Sequence, residues 1–97
     1  MKFQLLSDNH DTLTGLRLAG IEGEIITSAN QAEKRIWEIV ADKDVGILLV
    51  TSTVYSLAAK SLDEIREQKT TPLVVEIPDR HGGVSHSVAD YIRDAIG

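Results

Sequence analysis

Apolar residues along the chain fall into two rhythms, short dense runs and longer stretches with apolar positions three and four apart, and the two alternate from end to end. Phe3, Leu5 and Leu6 make the first dense run, which stops at Ser7-Asp8-Asn9-His10, a group of turn and cap formers. A first helix is expected there, capped by Asp11 or Thr12, with Leu13, Leu16 and Leu18-Ala19 on its apolar side and Gly20 ending it. Gly15 inside this helix costs about 1 kcal/mol relative to alanine, which points to a close backbone contact at that position. Glu24-Ile25-Ile26 reads as a brief second strand at a sheet edge. Ser28, with Gln31 three residues later, resembles a capping box. It opens the clearest helix of the chain, in which Ala29, Ala32, Ile36, Ile39 and Val40 recur at helical spacing until residues 42–44 close it.

Val45-Gly46-Ile47-Leu48-Leu49-Val50 is apolar throughout, the pattern of a central strand covered on both faces. Helical spacing returns over residues 52–69, with Val54, Leu57-Ala58, Leu62 and Ile65 inward and a break expected near Leu57. Pro72 opens a last strand, Leu73-Val74-Val75-Glu76-Ile77, and Pro78 ends it. After the loop Asp79-Arg80-His81-Gly82-Gly83, a terminal helix is expected over residues 84–97, with Val88, Ile92 and Ala95-Ile96 as a narrow apolar stripe and Tyr91 beside it. That stripe follows two glycines at a chain terminus, where displacement breaks few interior connections, so the helix is expected to be mobile or bound to a partner.

Regular alternation of strand and helix predicts one α/β domain over residues 1–97, a three-layer α/β/α sandwich with a four-stranded parallel sheet. The predicted strand order is 2-1-3-4, a truncated flavodoxin-like or receiver-like topology. Ligands and partners of such sheets gather at the carboxyl ends of the strands, so the chemistry is sought after residues 6, 26, 50 and 77.

Composition narrows the function classes. The 97 residues leave no room for separate catalytic and substrate domains. A formal charge of -5 argues against a broad nucleic-acid surface, and 4% aromatic residues supply little for stacking bases. There is no cysteine, hence no disulfide, thiol nucleophile or thiolate metal site. No apolar run approaches the ~20 residues that cross a bilayer, which fits a soluble intracellular protein.

The strand ends offer little catalysis. Neither GxxxxGK[ST] nor GxGxxG occurs, so neither usual nucleotide loop is present. Asp8, after the first strand, stands where a phospho-receiver domain holds magnesium. Such a domain also needs an acceptor aspartate after the third strand and a lysine after the next, and this chain has Val50-Thr51-Ser52 and Ile77-Pro78-Asp79. Asp8 therefore reads as a turn or cap residue. His10, His81 and His86 lack convergent spacing, and Asp79 beside His81 has no nucleophile to orient. No metal or cofactor is expected. Trp37 and Tyr55 divide between packing and contact surface, with packing favoured for Trp37.

Three segments carry a resemblance. Asp8-Asn9-His10-Asp11-Thr12-Leu13-Thr14-Gly15-Leu16-Arg17-Leu18-Ala19-Gly20-Ile21 resembles the amino-terminal signature of the F subunit of V-type and archaeal-type rotary ATPases, and Thr71-Pro72-Leu73-Val74-Val75-Glu76-Ile77-Pro78 resembles its second signature. Asp44-Val45-Gly46-Ile47-Leu48-Leu49-Val50 is similar to that family's third strand. Asp8, Gly15, Gly20, Glu76 and Pro78 match residue by residue. Ser7 replaces a common glycine and Leu16 a common phenylalanine. The resemblance implies a non-catalytic rotor subunit of the central stalk, on the cytoplasmic side of a membrane complex. Its partners there are the coiled-coil D subunit, the catalytic A/B head and the C subunit near the membrane ring. Tyr91, Ile92, Ala95 and Ile96 are the candidate partner interface. The alternative from the residues alone is a receiver-like signalling or protein-binding module.

Overall fold

A computed structural model describes residues 2–68 and 71–78 of the chain. The elements run β1 (Lys2–Ser7), α1 (His10–Leu18), β2 (Glu22–Ile25), α2 (Ala29–Ala41), β3 (Val45–Thr51), α3 (Ser52–Leu57), α4 (Ala59–Gln68) and β4 (Leu73–Ile77). All strand pairs are parallel and the order is β2-β1-β3-β4, as predicted. The expected terminal helix, with Tyr91, Ile92, Ala95 and Ile96, lies outside the described residues.

Alternation along the strands divides the core into two layers. Leu6, Leu48, Val50 and Val74 face α2, α3 and α4, where they pack with Ala32, Ile36, Ile39, Val54, Ala58, Leu62 and Ile65. Leu5, Ile47, Leu49, Val75 and Ile77 face the other way and pack with Leu13 and Leu16 of α1. Every residue of β3 is buried, which is why its sequence is apolar at consecutive rather than alternate positions. Burying one such leucine or valine contributes about 1.5–3 kcal/mol.

Several details differ from the sequence expectation, among them β2, which runs over Glu22–Ile25 rather than residues 24–26. Asn9, rather than Asp11 or Thr12, caps α1, its Oδ1 accepting from the Asp11 and Thr12 amides at 2.7 and 3.1 Å. Leu18 is 86% exposed, because two residues beyond buried Leu16 a helix has turned about 200° and faces water. The break expected near Leu57 falls at Ala58 (φ -140°, ψ 37°), as predicted, but the altered phase leaves Leu57, expected inward, exposed while burying Ala58. Ala29, at the first position of α2, is exposed rather than inward.

Two helix ends fulfil their expectation. At the end of α1 the Gly20 amide donates to Arg17 O and the Ile21 amide to Leu16 O, both at 2.9 Å, with Gly20 at φ 88°. This is a Schellman close, and Ile21 packs on the same cluster as Leu16. At the start of α2 Ser28 Oγ accepts from the Gln31 amide at 3.1 Å. The return bond is displaced by one residue, since Gln31 Oε1 takes the Thr27 amide at 2.9 Å.

Candidate functional site

The carboxyl ends of β1, β3 and β4 meet on one rim of the sheet, where the sequence placed the candidate chemistry. Ser7 ends β1 fully buried, and its hydroxyl donates to Asn9 O and accepts from the Asn9 amide, each at 2.9 Å. That pair of bonds shapes the turn carrying Asp8 outward. Thr51, the last residue of β3 and also buried, donates its hydroxyl to Asp8 Oδ1 at 2.7 Å. Ser52 next to it donates to Ile77 O at 3.1 Å and so ties the β3–α3 junction to the end of β4. Asp8 thus caps no helix and is instead the acceptor in a latch between two strand exits. The rim is cross-braced by hydroxyls, and a carboxylate held by a threonine is a positioning device. Among the described residues no three acidic or histidine side chains gather as a metal site.

Of the other signature residues, Gly20 sits where a left-handed φ is required, and Pro78 follows β4 directly. Glu76 pairs in register with Val50 and lines a groove with Ser52, Arg66, Leu73 and Pro78. Gly15 is a correction: a Cβ there meets nothing within 4 Å, so no close contact requires glycine. The tight approach is at Gly23, where a Cβ would stand 2.8 Å from Leu13 Cδ1 and 2.8 Å from Leu5 Cβ. A glycine inside a strand, flanked by Glu22 and Glu24, carried that signal in the sequence.

Polar braces hold α2 on both flanks. Toward β2, the Arg35 guanidinium grips Glu24 through two bonds of 2.7 Å and reaches Glu38 at 3.1 Å. Hydrogen bonding to Glu24, then the nearby Glu38, raises the Arg35 pKa against a partial desolvation cost. Gln31 Nε2 donates to Ile25 O at 3.1 Å. Toward α4, Glu33 Oε1 accepts from Ser61 Oγ and from Trp37 Nε1, the latter at 2.8 Å. These two donors, Ser61 first, hold the Glu33 carboxyl below its usual range. Trp37 is 40% exposed, so packing does not absorb it. Tyr55 packs partly against the larger core layer, donates to Asp63 and lies 5.9 Å under the Arg66 guanidinium. Desolvation, then the Asp63 bond, pushes the Tyr55 hydroxyl pKa up.

The family model of the ATP synthase (F/14-kDa) subunit matches residues 4–96. The chain belongs to that family. The F subunit of the A-type ATP synthase of Pyrococcus furiosus is 32% identical, covering 100% of this chain and 95% of its own length. Its counterpart in Methanococcus maripaludis is 28% identical over 90% of this chain and 87% of the relative. The crystal structure of the F subunit of the V-type ATP synthase of Archaeoglobus fulgidus superposes with a TM-score of 0.66 at 22% identity, covering 78% of this chain and 95% of that one. This last likeness speaks for the fold alone. As an F subunit the chain is a non-catalytic accessory of a rotary ATP synthase. On the rim of this F subunit Asp8 joins the exits of β1 and β3, while Gly20 ends α1 and Pro78 follows β4.

Proposed function

We propose that this F subunit works in the central stalk, bound to the coiled-coil D subunit and turning with it, so that ATP hydrolysis or synthesis in the catalytic A/B head is coupled to ion transport in the membrane ring. The observation that carries this reading is the family match across residues 4–96, supported by relatives whose lengths it nearly spans. The protein sits peripherally on the cytoplasmic side, with further contacts to the A/B head and to the C subunit near the ring. Among the described residues no helix is long and apolar enough to cross a membrane. A part that transmits torque needs a stiff body, and the two-layer core with its braced rim supplies one.

The terminal segment of residues 84–97 supplies part of the partner interface through Tyr91, Ile92, Ala95 and Ile96. Its narrow apolar stripe motivates this assignment. Ile92→Asp tests it in native copurification with the D subunit. The expected result is a loss of D-subunit recovery of tenfold or more, on the order of 1.4 kcal/mol, with the far-UV circular dichroism of the isolated variant intact. Unfolding of the isolated variant places Ile92 in the domain core instead, and undiminished recovery removes it from the interface.

A further inference from the structure

We draw no further inference here: the strongest candidate, the outer edge of β4 with its exposed Leu73 and the adjoining groove lined by Ser52, Arg66, Glu76 and Pro78, carries nothing because nothing in the structure shows what covers it.

Discussion

The two edges of the sheet are built on opposite terms. β2, at one edge, is four residues of Glu-Gly-Glu-Ile with little full burial. In a parallel ladder alternate residues turn their peptide groups toward the neighbouring strand. With the Ile26 amide on Ser7 O, Gly23 and Ile25 aim theirs outward, and Gln31 takes the Ile25 carbonyl. Glu24 is clamped by Arg35, and α1 closes in over Gly23. β4, at the other edge, is Leu-Val-Val-Glu-Ile between two prolines, with Val74, Val75 and Ile77 buried and Leu73 54% exposed. One edge is finished by polar side chains of the chain's own next helix. The other carries exposed Leu73 beside a groove that Glu76 and Arg66 help line, and the segment that follows it is the one proposed for partner contact. Edge strands are usually blunted by shortness, charge and proline; among the described residues β2 relies on the first two, and five-residue β4 on its flanking Pro72 and Pro78.

The strongest way to break the comparison is at Gly23. Gly23→Ala should cost about 1–3 kcal/mol in urea denaturation, because the new methyl meets Leu5 and Leu13 and α1 must lift from the sheet. Gly15→Ala is its control and should stabilise by about 0.5–1 kcal/mol, since the added methyl enters open space on a helix. Equal effects at the two glycines would mean that α1 does not press on β2.

Next in size is the Arg35 clamp. A double-mutant cycle of Glu24→Gln and Arg35→Met should give a coupling of about 1 kcal/mol that shrinks with added salt, as suits a bidentate pair at the surface. An absent coupling would leave β2 protected by its shortness and the Gln31 bond to Ile25 O, not by an ion pair. At the opposite edge, Leu73→Ser should change the stability of the isolated chain by less than about 0.5 kcal/mol, judged by thermal unfolding. A larger loss would show Leu73 to be packed within the chain and the β4 edge to be as self-contained as β2.

The smallest expected effect is one of pH. Glu33 is held below its usual pKa by Ser61 and Trp37, so the folded protein binds that proton less readily than the unfolded chain does. Its contribution is present above the unfolded value of 4.5 and fades as pH falls through the lower folded value. Glu33→Gln should therefore lower stability slightly at neutral pH and flatten the acid limb below pH 4.5, so that the two profiles converge at low pH. An unaltered acid limb would dismiss the α2–α4 brace as an ion-independent contact.

The strand order and both layers were legible because the apolar rhythm of this chain changes sharply at each element, most clearly at the unbroken run of β3. The capping of α2 was legible from Ser28 and Gln31 for the same local reason. The cap of α1 was not, since Ser7-Asp8-Asn9-His10-Asp11-Thr12 offers several competent side chains and the choice depends on where buried Ser7 turns the backbone. Gly15 reads as crowded from sequence and Gly23 draws no notice, because the crowding at a glycine depends on which helix lies over it, a tertiary fact. The Asp8–Thr51 latch joins residues 43 positions apart, beyond the reach of any local pattern. Trp37 escaped because an indole can satisfy its N–H on its own helix, at Glu33, and remain at the surface.

That latch also has a consequence in time. β1 is synthesised before the other strands of this sheet, yet it occupies an interior place in it, with β3 on one side and β2 on the other. At about 5–20 residues per second, the 43 positions from Asp8 to Thr51 take roughly two to nine seconds to translate. Through that interval the nascent chain carries Leu5 and Leu6 with one strand edge open. The middle of the sheet closes only when β3 has left the ribosome, so the early strand waits for its partner as an exposed apolar template.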